Sequence, residues 1–300
     1  MAPGRLAAVT SAGVTRRRPT ALLVAAALVL GIVVAAAPAS AAAGATATGA
    51  RAMWVWDRPG VAGLVDFARR HGVRDLFVST PGNLATSPDL QWFRSLRTRS
   101  SAAGIRVHAL GAEVWWLDDH AAAEAWQRQA LATGLFDGVH LDVEPWLHPA
   151  WGSDPASLLA SWVALLRRSA AAADLPVEAD IPFWLHEHTV GGRPADEAVV
   201  AAVDAVTVMS YRDTATGPDS ITGISATALA TAGRLGRPVR LAVETRFLGA
   251  DPVSAKQTFF GATQRQLDRA MGAVDAAVAG QPSYAGIAVH DHTGWSAMRR

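Results

Sequence analysis

The 300-residue chain contains no cysteine, which excludes disulfide bonds, a thiolate nucleophile and cysteine-ligated zinc. Charged residues are also scarce, at 18% of the sequence against 50% hydrophobic residues. A chain of that composition collapses and packs, so an intrinsically disordered protein is excluded. No basic block follows residue 18, and nucleic acid is therefore not an expected partner.

Several common catalytic motifs are missing as well. The sequence has no glycine-rich phosphate loop and no G-x-S-x-G nucleophile elbow. No G-x-G-x-x-G follows the first predicted strand, which argues against a dinucleotide-binding sheet. We expect neither a cofactor nor a resident metal.

The first 41 residues have the three parts of a secretory signal peptide. Arg16, Arg17 and Arg18 form a charged region, an apolar run follows over residues 21–37, and small residues at 39–41 resemble a cleavage site. The run is at the lower edge of what crosses a bilayer, so an uncleaved anchor on the outer face of the cytoplasmic membrane is the alternative. Residues 42–50 are predicted to form a flexible linker. The protein is therefore expected to be exported.

From residue 51 onward, short β-branched or aliphatic runs alternate with longer stretches of helical periodicity. Eight such units over about 250 residues predict one (β/α)8 barrel domain, residues 51–300. A doubly wound sheet is the competing fold, but it seldom repeats so evenly. The predicted strands are Ala52–Trp56, Asp75–Ser79, Arg106–Leu110, Gly138–Glu144, Val177–Ile181, Ala205–Tyr211, Val239–Thr245 and Ala285–His290.

Alternation of side chains along the last five strands separates an aliphatic face from a polar face. The aliphatic faces are expected to pack on the helices, so the polar faces should point into the barrel. Burying so many ionisable groups is costly unless they line a functional mouth, which predicts a cleft at the C-terminal ends of the strands. The inward side chains expected near it are His140, Asp142, Glu144, Glu178, Asp180, Thr207, Met209, Tyr211, Glu244 and His290.

Two carboxylates on the fourth strand suit acid catalysis. Asp142 and Glu144 are two residues apart, about 6.6 Å between their Cα atoms, so their charges repel and one pKa should rise. Glu144 is nearer the strand end and is the natural donor to a glycosidic oxygen. Asp142 could hold an N-acetyl group that attacks the anomeric carbon. For a sugar without that group, Asp180 or Glu244 is the candidate nucleophile or base.

The stretch Asp137-Gly138-Val139-His140-Leu141-Asp142-Val143-Glu144 resembles the D-G-x-D-x-D-x-E strand of family 18 glycoside hydrolases, the chitinase-like barrels. The resemblance implies that Glu144 is the general acid and that Asp142 orients the acetamido group of the substrate. Met209-Ser210-Tyr211 is similar to the M-x-Y of the family, whose tyrosine contacts the reacting sugar. Two positions depart from the pattern, because His140 replaces the first acid of the strand and Arg212 stands where the family usually has aspartate.

Tryptophan usage also suggests a carbohydrate ligand, with 11 tryptophans against 2 tyrosines. Indole faces present flat apolar area to the C–H faces of sugar rings. Trp56 and Trp184 lie at predicted strand ends or in the loops beyond them. Trp295 follows strand eight and corresponds by position to the pocket tryptophan of the family. All three, with His140 and His290, are expected to contact the substrate of a monomeric enzyme.

Three hypotheses follow from the sequence. The leading one is an exported glycoside hydrolase on a (β/α)8 barrel. The second is a barrel that binds carbohydrate but has lost catalysis, as the two departures from the family pattern permit. The third is a metal-dependent hydrolase using His140, Asp142, Glu244 and His290, because imidazole and carboxylate ligands could converge there.

Overall fold

A computed structural model describes residues 49–300. The predicted signal peptide, and the linker up to residue 48, lie outside the described residues. Within them, no helix is long and apolar enough to cross a membrane.

Eight parallel strands close into a barrel, as the alternating pattern predicts. Around the barrel the order is β1, β10, β9, β8, β5, β4, β3 and β2, so each strand pairs with the barrel strands before and after it in the chain. The short pair β6 and β7 forms a separate antiparallel hairpin. The strands are β1 Arg51–Val55, β2 Val73–Ser79, β3 Arg106–Gly111, β4 Gly138–Leu141, β5 Val177–Pro182, β6 Thr189–Val190, β7 Arg193–Pro194, β8 Ala205–Met209, β9 Val239–Glu244 and β10 Tyr284–His290.

Helices surround the barrel and connect its strands. Positive φ values at Gly72, Gly104 and Gly134 allow the chain to leave three of them and enter the next strand. Asp154 begins the longest helix by accepting a hydrogen bond from the Ser157 amide. The helices are α1 Val61–Arg70, α2 Leu90–Ala102, α3 His120–Leu131, α4 Pro155–Ala171, α5 Ala195–Val200, α6 Ile221–Ile224, α7 Ala226–Leu235, α8 Pro252–Ala255, α9 Gln264–Val278 and α10 His292–Ala297.

The aliphatic faces of the strands pack outward on these helices. Val139, Leu141 and Val143 are buried in the large core cluster between barrel and helices, as the alternation predicts. A second, smaller cluster fills the barrel interior and contains Ala52, Trp54, Phe77, Leu110, Ala242 and Ala288. The two faces of each strand therefore belong to different cores.

Charged residues occupy the amino-terminal half of the barrel interior. Arg240 on β9 lies 2.7 Å from a Glu178 oxygen and 3.2 Å from an Asp75 oxygen. His108 and Arg106 also contact the Asp75 carboxylate, at 2.9 and 2.6 Å. We call Asp75, Arg106, His108, Glu178 and Arg240 the floor network. Its charges are paired, which is the condition for burying them.

The floor network corrects one expectation from the sequence. Glu178 does not line the mouth, because its partner Arg240 holds it near the start of the barrel. Burial alone would raise the pKa of Glu178, but Arg240 and His140 lower it to about 2. Burial likewise opposes ionisation of Asp75, but the hydrogen bond from His108, the charge of Arg240 and the hydrogen bond from Arg106 hold its pKa well below the ordinary range. Both acids are therefore structural and ionised.

Replacing the central cation of the floor network should be costly. In Arg240→Met, Glu178 loses its closest cation and Asp75 loses one of three partners, so the free energy of unfolding should fall by about 3–5 kcal/mol. Urea unfolding measures the change. The matched control is Arg168→Met, which removes an exposed pair with Glu124 and should cost at most about 1 kcal/mol. Equal losses in the two variants would contradict the assigned role of Arg240.

Candidate active site

Asp142 and Glu144 lie at the mouth of the barrel, directly after β4 ends at Leu141. The Asp142 amide still donates to the Gly111 carbonyl at 2.9 Å, so the chain keeps the direction of the strand. Pro145 then begins a short 3-10 turn that ends the extended segment after Glu144. Both carboxyl-bearing residues are half-buried.

His140 is completely buried in the barrel interior, two residues before Asp142 on the same inward-facing side of the strand. Its Nε2 lies 2.9 Å from an Asp180 oxygen, and its Nδ1 lies 3.5 Å from a Glu178 oxygen. The ring stacks on Phe77 with 3.6 Å between ring centroids. Burial would lower the pKa of His140, but the Asp180 and Glu178 carboxylates raise it to about 9. His140 is therefore an imidazolium at neutral pH.

Three carboxyl groups interact beside this cation: those of Asp142, Glu144 and Asp180. Burial and the neighbouring charges of Asp180 and Glu144 raise the pKa of Asp142 well above its ordinary range. Burial also raises the pKa of Glu144, while contacts from the Trp146 indole and Asp142 moderate the rise. Three acids that close to one another cannot all ionise, so at least one proton stays in the group.

Glu244 ends β9 on the opposite side of the mouth. One of its oxygens accepts hydrogen bonds from the Thr245 amide at 2.7 Å and the Arg246 amide at 2.6 Å. The other oxygen lies 2.8 Å from His290 Nδ1. His290 Nε2 in turn accepts a hydrogen bond from the Trp56 indole at 2.9 Å. The structure therefore joins these expected site residues into one chain of hydrogen bonds.

Tyr211 follows the end of β8 and packs against the interior cluster beside Trp56. Burial and the carboxylates of Glu244, Asp142, Asp180 and Glu144 raise the pKa of Tyr211 well above its ordinary value. Its hydroxyl group is therefore a neutral hydrogen-bond donor. Met209, the last residue of β8, is half-buried and pairs with Pro182 of β5 at the same rim.

Trp184 belongs to an aromatic group in the loops after β4 and β5. Its ring centroid lies 5.3 Å from that of Trp146, 6.2 Å from that of Trp151 and 5.5 Å from that of His188. All four side chains of the group are half-buried. Trp146 also contacts Glu144, which connects this group to the acid pair.

Trp295 is not in the cleft, contrary to the sequence expectation. It is fully buried in the outer core, with ring centroids 5.3 Å from Phe67 and 4.8 Å from His71. The reason is local, because Asp291 caps α10 directly after β10 and the helix carries residue 295 into the helical layer. The resemblance by position does not extend to this residue.

Arg212 stands where the family usually has aspartate, but it does not place a free positive charge at the mouth of the barrel. Its side chain is bound by Asp219 at 2.6 Å, by the Tyr211 carbonyl at 2.7 Å and by the face of Phe183. The guanidinium is therefore committed to the surrounding loops.

The metal-site hypothesis finds no support in the side-chain arrangement. Residues 49–300 contain no group of three or more histidine, aspartate or glutamate side chains that could hold a metal ion. His140 and His290 are each bound by a carboxylate on a neighbouring strand, Asp180 and Glu244 respectively.

Three charged or polar residues below the site were not predicted as interior residues: Asp75, His108 and Arg240. They complete the balance of charge there. Period-two alternation could have found them. Arg240 shares a strand face with Ala242 and Glu244, and His108 shares one with Leu110.

The protonation of His140 gives a test of the site electrostatics. The folded pKa is raised, so the stabilisation from His140 should be complete below about pH 6.5 and lost as the pH rises through about 9. Imidazole nitrogen shifts in NMR should report that midpoint. The stability difference between the parent and His140→Gln should shrink over the same range. An imidazole that titrates at or below 6.5 would show that the pair with Asp180 is not ionic.

Comparison with known proteins supports the fold. No protein-family model matches the chain, and no curated protein matches its sequence. The structure is similar to a GH18 chitinase from Pseudoalteromonas aurantia, with a TM-score of 0.53 and 17% identity, covering 81% of this chain and 96% of that chain. It is also similar to the spore cortex-lytic enzyme SleL of Bacillus megaterium QM B1551, with a TM-score of 0.51 and 11% identity, covering 80% of this chain and 70% of that chain. The chain thus has the fold of the family 18 glycoside hydrolases, as a divergent barrel that resembles them in its fourth strand.

Proposed function

We propose that this protein is an exported glycoside hydrolase that cleaves an N-acetylated glycan, with Glu144 as proton donor and Asp142 as its assistant. The observation that carries the proposal is the group of three interacting carboxyls, Asp142, Glu144 and Asp180, next to the buried imidazolium of His140. Export rests on the pattern of residues 1–41, and the similarity of fold to a chitinase and a spore cortex-lytic enzyme is consistent with a carbohydrate substrate.

The charges around the group indicate where the protons sit. Asp180 is 1% exposed, and one of its oxygens lies 2.9 Å from His140 Nε2. Asp142 lies between Asp180 and Glu144, and both neighbours disfavour a second negative charge there. Burial and these neighbours therefore favour the protonated form of Asp142, and the raised pKa of Glu144 favours protonation of the donor as well. Glu144 is half-exposed at the strand end, where a glycosidic oxygen could reach it.

The other candidate nucleophiles are engaged elsewhere. Both oxygens of Glu244 accept hydrogen bonds, two from backbone amides and one from His290. Asp180 is buried behind Asp142 and held by His140. A free carboxylate opposite Glu144 is therefore lacking among the acids expected from the sequence, and this favours the substrate-assisted route.

In that route, Glu144 transfers its proton to the glycosidic oxygen as the bond from that oxygen to the anomeric carbon breaks. The acetamido oxygen of the same sugar forms the new bond to the anomeric carbon. Asp142 accepts the acetamido N–H and holds the group in line, and the Tyr211 hydroxyl donates to it. Water then attacks the anomeric carbon as the bond from that carbon to the acetamido oxygen breaks, and the Glu144 carboxylate takes a proton from that water.

The change at residue 140 is compatible with this chemistry. The fourth strand carries an imidazolium in place of its first acid, but Asp180 on the neighbouring strand supplies a carboxylate beside Asp142. The guanidinium of Arg212 is already paired with Asp219. These contacts favour a working enzyme over the binding-only alternative.

Removing the proton donor should abolish most turnover. Glu144→Gln should lower kcat on an N-acetylglucosamine tetrasaccharide by about a hundredfold or more, because protonation of the leaving group is lost. On the 4-nitrophenyl glycoside the loss should be smaller, since that leaving group departs without a proton. The control Glu124→Gln makes the same change on α3 and should keep the parent rate. Equal rates for Glu144→Gln and the parent would refute the assignment.

The pH profile should report the raised pKa of Glu144. Since burial and Asp180 favour its protonated form, kcat/KM should stay high above pH 4.5 and fall only as the pH passes through the raised pKa. A profile of initial rates against pH on the tetrasaccharide measures this basic limb. A limb at or below pH 4.5 would mean that Glu144 titrates as an ordinary exposed acid.

A further inference from the structure

The hydrogen bonds around His290 fix its tautomer. A tryptophan indole N–H can only donate, so His290 Nε2, 2.9 Å from Trp56 Nε1, must carry a lone pair. The ring proton then lies on Nδ1, which faces Glu244 Oε2 at 2.8 Å. The arrangement therefore requires a neutral imidazole protonated on Nδ1.

The anions around His290 act against that requirement. Burial lowers the pKa of His290, but Glu244 on β9, Asp291 next in the chain and Asp180 on β5 raise it above its ordinary value. An imidazolium, however, would point an N–H at the N–H of Trp56. Only the neutral imidazole of His290 can therefore accept the hydrogen bond from Trp56.

Glu244 anchors this chain of hydrogen bonds to the backbone. Its second oxygen is held by two successive amides, those of Thr245 and Arg246. The order is therefore backbone amides, Glu244, His290 and the indole edge of Trp56. Each polar group in this series of hydrogen bonds has a partner, so the series restricts the rotation of the Trp56 side chain.

Packing alone does not explain why Trp56 receives these partners. Trp54, Trp162 and Trp295 are almost completely buried, yet their indole nitrogens have no hydrogen-bond partner among the described residues. Trp56 is half-buried directly after β1, and its indole nitrogen donates to His290. Its N–H edge is therefore held, and the part of the indole that does not pack on the interior cluster is left to bind a ligand.

We propose that Trp56 is a substrate-binding platform for a pyranose ring at the mouth of the barrel, and that His290 and Glu244 are positioning residues that hold its indole. The proposal deepens the proposed function and rests on it. His290 and Glu244 then affect substrate binding only through Trp56 and do not contact the sugar.

The substitution Glu244→Gln tests this series of hydrogen bonds and leaves the volume of the side chain almost unchanged. An amide that keeps its oxygen toward the Thr245 and Arg246 amides must turn its NH2 group toward His290 Nδ1. The imidazole proton then moves to Nε2, where it opposes the Trp56 N–H. In NMR, the two ring nitrogens of His290 should exchange their protonated and unprotonated shifts at mildly alkaline pH.

Binding is measured by calorimetry with the N-acetylglucosamine tetrasaccharide in the Glu144→Gln background, so that no turnover interferes. Added Trp56→Ala should raise Kd about tenfold or more, and added Glu244→Gln should raise it severalfold. Trp92→Phe is the matched control, because it removes the 2.7 Å hydrogen bond from a half-buried tryptophan on α2 to Pro59 and should leave Kd unchanged.

The outcomes separate this inference from the proposed function. Binding in the Glu144→Gln background that depends on Trp56 and Glu244, together with no turnover of the tetrasaccharide by the parent with Glu144 intact, would overturn the proposed hydrolase and support the platform. An unchanged Kd in Trp56→Ala, an unchanged His290 tautomer in Glu244→Gln, or no binding to the Glu144→Gln parent would each overturn the platform.

Discussion

The candidate site depends on the buried ion pair between His140 and Asp180. At 2.9 Å, with both groups almost fully excluded from water, the imidazolium pairs with the Asp180 carboxyl group in the barrel interior. Burial and the neighbouring Asp180 and Glu144 in turn favour the protonated form of Asp142 at the mouth. The cation on the fourth strand is therefore linked through Asp180 to the acids above it.

The same cation joins the two charged zones of the barrel. Below it, Glu178 is shared between His140 and Arg240, and Arg240 reaches Asp75. Positive and negative groups thus alternate from the floor to the mouth. The floor network stabilises the fold, whereas the half-exposed acids at the top are the groups that a substrate can reach. Because side chains alternate along each strand, the floor network and the acids at the mouth lie in the same barrel interior.

Strand periodicity was sufficient to predict the barrel, because each strand has an aliphatic face that must meet the helices. All eight predicted strands correspond to observed ones, with small differences at their ends. The ion pairs were not predictable, because partners such as Asp75 and Arg240 are 165 residues apart. The assignment of Trp295 failed because position after a strand does not show which way the next helix turns it. Which oxygens of Glu244 are occupied also depends on backbone amides that no motif specifies.

The most direct test of the account is a crystal structure of Glu144→Gln with the N-acetylglucosamine tetrasaccharide bound. The account predicts a glycosidic oxygen within about 3 Å of the residue 144 side chain, with the acetamido group of the adjoining sugar against Asp142 and Tyr211. A sugar chain bound elsewhere on the barrel, or an acetamido group turned away from Asp142, would contradict it.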